Sequence, residues 1–198
     1  MIQNIVKVVL AGVIVFLGYV LYTNIMKPVK FNEEVDKRSK EVVQNLKDIR
    51  AAQLTYRSIH SSYTGSFDSL IDFVRNGKIA VVKMVPDPTD TTFTRTIRDT
   101  LGFVGVQDSL FKRAGFDPSE LKEIPFSHGK IFELNAGKIE KGGVKVNVFE
   151  VRASYDSFLS DLDKQLLSNL NSSKLDIEKF PGLKVGSMEE VSTDGNWE

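Results

Sequence analysis

The chain has 198 residues, of which 41% are hydrophobic and 26% charged; that suits one buried core with an appendage, and neither a many-span membrane protein nor a disordered polyelectrolyte. Its 26 basic and 26 acidic residues cancel and no run of five like charges occurs, so nothing suggests an electrostatic grip on nucleic acid. Cysteine is absent, which excludes disulfides, thiol catalysis and Cys-based zinc or iron–sulfur sites.

The first element is apolar. From Val8 to Met26 the run VVLAGVIVFLGYVLYTNIM holds nineteen residues without a charge, and as a helix it would extend roughly 28 Å, close to the thickness of a hydrocarbon core. Tyr19 and Tyr22 lie towards its far end, where amphipathic rings favour the interface, and Lys7 and Lys27 bracket it. The following YTNIMKPVK offers no small-residue cleavage site, so an uncleaved anchor spanning lipid through Val8 to Met26 is expected in place of a removed signal. Orientation cues conflict. The short tail with Lys7 places the N-terminus in the cytoplasm, whereas Lys27, Lys30, Lys37, Arg38 and Lys40 after the span favour that side instead.

Beyond the span, Pro28 is expected to kink the chain. A helical pattern resumes in which Val35, Val42, Leu46, Ile49, Tyr56 and Ile59 form one apolar stripe over about 25 residues. Glu33–Lys37, Glu34–Arg38 and Asp36–Lys40 are acidic-then-basic pairs at i,i+4, each contributing a few tenths of a kcal/mol; residues 28–45 therefore read as a solvated helical stalk. From Leu46 the apolar face widens through Ala51, Ala52 and Leu54, so the helix enters a globular head covering 46–198. SSYTGS, Ser61 to Ser66, is a turn, and Ser66 is placed to cap a second helix with Phe67, Leu70, Ile71 and Val74 inward, ending at Asn76-Gly77.

The span, the half-buried helix and "IRAAQLTYRSIHSSYTGSFDSL", with its aromatic-rich turn and short Leu-containing helix, resemble the type IV pilins and type II secretion pseudopilins over roughly residues 5 to 76. The chain opens MIQNIVKVV and places no acid in the span, so the resemblance implies the lollipop architecture: a head outside the cytoplasm, on an inner-membrane anchor, with self or secretion-apparatus subunits as partners. "IPFSHGKIFELNAG" and "FPGLKVGS...DGNWE" also resemble uncharacterised envelope proteins of Bacteroidales-type bacteria, which implies no particular activity.

The middle of the chain is mixed. KIAVVKMV, Lys78 to Val85, is β-prone, TDTTFTRTIRD reads as an extended segment, VQDSLFKRAGF as one or two helical turns, and DPSELKEIPFSHG as a turn with Pro118. Lys130 to Ala136 and Val144 to Arg152 are expected to pair as a hairpin joined through EKGG. SYDSFLSDLDKQLLSNLNSS reads as one amphipathic helix with Phe158, Leu159, Leu162, Leu166 and Leu170 on one face, and LKVGSMEEVSTDGNWE adds a last short strand. The fold class is α+β.

Candidate sites carry little chemistry. His60 and His128 have no second ligand at metal spacing and read as exposed polar side chains. Ser127-His128 lacks the geometry by which a base activates a serine, and no G-x-S-x-G elbow is present. Asp87, Asp90 and Asp108, or Glu189, Glu190 and Asp194, could offer oxygens to calcium but lack EF-hand spacing. LGFVGV and KGGV read as turns rather than phosphate cradles, and thirteen Phe against one Trp read as core filling. No catalytic, cofactor or metal residue is assigned. The function expected is that of a non-enzymatic single-pass envelope protein, a pseudopilin-like component of a secretion or pilus-like apparatus. The alternatives are a monomeric membrane-tethered module binding a peptide, glycan or envelope protein, and, without a catalytic constellation to support it, a tethered enzyme.

Overall fold

The computed structural model describes residues 2–86, 96–113 and 115–198. The architecture is α+β. A helix of 59 residues, α1 (Ile2–His60), is followed by α2 (Phe67–Asn76), strands β1 (Lys78–Pro86) and β2 (Thr96–Gly105), and a single helical turn, α3 (Val106–Leu110). After a 3₁₀ turn at Pro118–Lys122 come β3 (Glu133–Lys141), β4 (Val144–Ser154), α4 (Tyr155–Phe158), α5 (Lys164–Leu175) and β5 (Gly182–Gly186). β1 and β2 make an antiparallel ribbon by themselves; β3, β4 and β5 make an antiparallel sheet in that order.

α1 passes through Pro28 without a break in helix. Proline at a helix interior removes one i→i−4 bond and crowds the preceding turn, and here a single lost bond leaves the helix continuous. Along the apolar run Val9, Leu10, Phe16, Leu17, Leu21 and Ile25 are all exposed, and this is one helix long and apolar enough to cross a membrane.

Further along, Val42, Leu46, Ile49 and Ala52 have no exposed surface. They share a core with Phe149, Val151 and Ala153 of β4, Leu183 and Val185 of β5, Leu70 and Val74 of α2, and Phe158 and Leu159. The apolar spacing of threes and fours puts these α1 residues on one face, and the alternation along β4 supplies the opposing one.

Part of 28–45 is covered rather than solvated. Phe31 is buried, and Val35 and Val43 pack against the core. Of the three i,i+4 pairs expected there, Glu34–Arg38 closes at 3.6 Å. Arg38 also leaves the helix surface: it donates to Phe158 O at 2.9 Å, forks onto the Asp161 carboxylate at 2.5 and 2.8 Å, and stacks over the Phe126 ring. At the other end the stripe runs out sooner than its spacing implies, with Leu54 and Ile59 exposed.

Three further α1 side chains hold distant segments. Asp48 pairs with Arg113, whose guanidinium lies over Phe116, itself stacked on Phe111. Arg50 donates to Thr193 O and Glu198. Gln53, fully buried, donates to Thr64 O at 2.7 Å and accepts from the Thr64 N–H at 3.2 Å. That amide pair satisfies the backbone of the SSYTGS turn inside the core and lets Ser66 cap α2 by accepting from Ser69 N–H, as expected.

Three other expectations need correction. The hairpin strands run past their expected ends, because the connection is only Gly142-Gly143: Lys141 pairs with Val144, and both glycines sit at positive φ, 60° and 77°, as a two-residue turn matched to strand twist requires. Glu140 and Lys141 are therefore strand residues. All of LGFVGV but its last residue is likewise strand, Leu101 to Gly105 forming the end of β2 with a register irregularity opposite Val81/Val82, while Val106 opens α3.

The expected single helix over SYDSFLSDLDKQLLSNLNSS is two. α4 ends at Phe158, and α5 starts only after Asp163 has capped the N–H groups of Gln165 and Leu166. The break turns Phe158 and Leu159 fully into the core and frees the Phe158 carbonyl for Arg38. Asp87, Asp90 and most of TDTTFTRTIRD lie outside the described residues.

Ile49→Asp is expected to cost about 4 kcal/mol or more, since it combines the loss of a buried aliphatic group with an unpaired buried charge. Lys37→Asp, on an exposed position, should stay within about 0.5 kcal/mol. Equal denaturation midpoints for the two variants would contradict this packing. The Arg38 guanidinium, chiefly through its hydrogen bonds, holds the Asp161 carboxyl below its ordinary value. A depressed carboxylate stabilises the fold above its unfolded value of about 3.9 and loses that contribution as pH falls through the lower folded value. Asp161→Asn should therefore be less stable than the parent chain at neutral pH, with the difference shrinking as pH falls below about 4.

Candidate functional site

The residues singled out by sequence do not converge. His60 is exposed, stacks on Tyr56 with centroids 4.1 Å apart, and its Nδ1 lies 3.2 Å from Tyr56 O. His128 is exposed at φ +55° in the loop before β3. Ser127 is buried, its hydroxyl 2.6 Å from Ile124 O and 3.1 Å from Lys130 O, so it closes a turn and its oxygen is directed at backbone carbonyls. Ser187 accepts from the backbone N–H groups of Glu189 and Glu190, and Asp194 accepts from Ser192. Among the described residues no three of His, Asp and Glu are placed to share a metal ion.

The concave feature of most chemical interest is elsewhere. A cleft of about 550 Å³ lies between α1, α5 and the last residues of the sequence, within the range of about 300–1,000 Å³ usual for ligand sites. One wall is α1, through Asn32, Val35, Asp36 and Ser39, the i, i+3, i+4, i+7 set that forms one helix face. α5 supplies Leu170 and Lys174.

The chain then reverses tightly. Ile177 and Lys179 N–H both donate to Lys174 O, with Glu178 at φ +55° between them, which returns Lys179 and Phe180 to the same cleft as Lys174. Among the residues lining the cleft, Asp36 carries the one carboxylate beside these two lysines. Among the described residues neither lysine has a carboxylate within salt-bridge distance.

The remaining wall is built by the closing segment. Asn196 makes three bonds to β5 and its approach: its N–H donates to Lys184 O, its Oδ1 accepts from Lys184 N–H, and its Nδ2 donates to Gly182 O, all at 2.9–3.0 Å. With the Gly195 bridge to Val185, these bonds occupy the free edge of β5 and set Trp197 against the cleft. The indole lies directly on Gly195, where an added Cβ would come within 2.3 Å of the ring. Its Nε1–H is buried and, among the described residues, meets no acceptor, an uncommon state for a buried donor.

Tyr155 borders the same cleft, and burial raises the pKa of its hydroxyl, keeping it a donor across the physiological range. The cleft thus offers a partly apolar lining, donors, and a net positive charge. Sequence reasoning missed it because its parts come from positions 32–39, 155, 170–183 and 196–197. The one local signal was the sole tryptophan following a Gly-Asn turn.

A second charged centre is buried in the sheet. Glu150, 2% exposed, lies between Arg152 at 2.5 Å and Lys184 at 3.4 Å. Arg152 pairs with Lys184 across the strands and stacks over Phe180. Both partners reach solvent while the carboxylate does not, so this triad is explained as a sheet-locking ion cluster.

Comparisons with known proteins find no matching family model, no matching curated protein and no matching solved structure.

Gly195→Ala should displace the indole from its seat. Since Trp197 is the only tryptophan, the change is read directly as a red-shifted emission maximum and greater acrylamide quenching in a chain that keeps its circular dichroism. Unchanged emission would mean that the close approach of ring and backbone does not position the wall.

Proposed function

We propose that the chain is a non-enzymatic, single-pass envelope protein that acts by assembly, as a pseudopilin-like subunit with its head on the periplasmic side of an inner membrane. The observation that carries this reading is the continuity of α1, in which an uncovered apolar run and a face with no exposed surface belong to one unbroken helix. A head fused in this way to its anchor is a unit that can be stacked against copies of itself through the span.

The β1–β2 ribbon supports the same reading. Val81, Val82, Leu101, Phe103 and Val104 are exposed on it, Phe103 to 70%, and its base is tied to the head by Val106 N–H donating to Gly77 O. Two strands alone are marginal in water, and an apolar ribbon of this kind suits a partner surface. A second reading, a monomeric membrane-tethered binding module, is favoured by the cleft beside Trp197.

The chain contains no cysteine, so single cysteines placed along residues 9–59 report neighbours without background. Assembly predicts disulfide crosslinks in native membranes that recur with helical period over the apolar run, together with labelling of residues 33–41 by an impermeant thiol reagent from outside the cell. Labelled stalks that never crosslink would favour the monomeric module, and labelling only after lysis would put the head in the cytoplasm.

A further inference from the structure

We infer that the cleft between α1, α5 and Trp197 is a binding site for an anionic amphiphile, a carboxylate or phosphate head carried on an acyl chain. Part of the lining is apolar: Val35, Leu170, Phe180 and Leu183, with the rings of Tyr155 and Trp197. Charge is concentrated at one place, where the reversal after α5 brings Lys174 and Lys179 to the same cleft, opposed only by Asp36. Two ammoniums without carboxylate partners among the described residues, in a cleft that Tyr155 also lines, favour an anion. The indole and the aliphatic part of the lining favour a hydrocarbon chain behind it.

An extended peptide fits less well. Peptides that add to sheets need a free edge, and the β5 edge here is already paired through Gly195 and Asn196. The position also suits a lipid-derived ligand. The α1 wall begins at Asn32, six residues past Met26, which on a helix places it about 9 Å beyond the apolar run. Binding itself does not depend on assembly; only the bilayer as the ligand's source rests on the membrane-anchored reading.

The test uses the full chain in phosphatidylcholine nanodiscs and reads Trp197, the sole tryptophan, by contact quenching with ω-bromododecanoate. Saturable quenching that unbrominated dodecanoate competes away is expected, with the methyl ester of the brominated acid ineffective at the same concentration. Lys174→Gln/Lys179→Gln should weaken the apparent affinity about tenfold, as loss of roughly 1.4 kcal/mol of charge-assisted binding would. Ser39→Phe, which adds bulk to the α1 wall without altering charge, should abolish it, while Lys37→Gln leaves it unchanged.

Quenching that does not saturate, or that ignores both the lysines and Ser39, is partitioning into the bilayer and overturns the inference. A second set of discs containing acyl-brominated phosphatidylglycerol, without free acid, separates the sources. Quenching there that added unbrominated dodecanoate relieves assigns a membrane phospholipid, and quenching by the brominated free acid alone assigns a single-chain amphiphile. Failure of the chain to enter the discs, with acid binding retained in the unincorporated fraction, would remove the anchored reading and leave the site standing.

Discussion

Removal of one face of α1 from water is the constraint on which the head depends. Val42, Leu46, Ile49 and Ala52 are fully covered, and they are covered by α2 just beyond the end of α1 and by β4 and β5, which lie roughly a hundred residues or more further along the sequence. Hydrophobic burial is strong but non-directional, so it explains why those segments collapse on α1 and not how each finds its place along it. The polar side chains flanking the stripe supply that register. Arg38 holds the break between α4 and α5, Asp48 the loop after α3, Arg50 the closing segment and Gln53 the turn into α2.

Because the same helix carries the exposed apolar run and the buried face, that run and the head share one element. No linker separates them, and Pro28 costs one backbone hydrogen bond without ending the helix. Rotation of the apolar run about its axis is therefore rotation of the head, so in the assembly proposed above contacts between apolar runs would set which head surfaces meet. In such an arrangement the β1–β2 ribbon and the cleft beside residues 32–39 are held at set positions relative to the apolar run.

The cleft illustrates how small local devices build a site from scattered parts. A reversal at Glu178 doubles the positive charge at one place, a glycine at 195 admits an indole, and one asparagine fixes the closing segment to β5. Each device is ordinary; their convergence makes the cavity. The same segment also protects an otherwise open sheet edge, a role that natural sheets assign to loops or charges.

Most of the helices and strands, and the cap at Ser66, were legible in the sequence because they are local: apolar spacing, a charge-free run and turn residues are set by neighbours a few positions away. Thus the long apolar helix, the α1 stripe around Val42, Leu46 and Ile49, the α2 faces and the existence of the β3–β4 hairpin follow from sequence, and so does the α+β class. What only the tertiary structure decided is where elements stop and what they meet. The helix expected over 154–173 breaks because burying Phe158 and Leu159 and meeting Arg38, more than a hundred residues away, outweighs one amphipathic repeat. Residues 31–43 lose solvent on one face because α1 is the scaffold for everything that follows. The cleft, assembled from four separate stretches, has no signature in any of them: local periodicity encodes an element's shape, while a site depends on distances that exist only after non-directional burial and a few long-range polar bonds have set the packing.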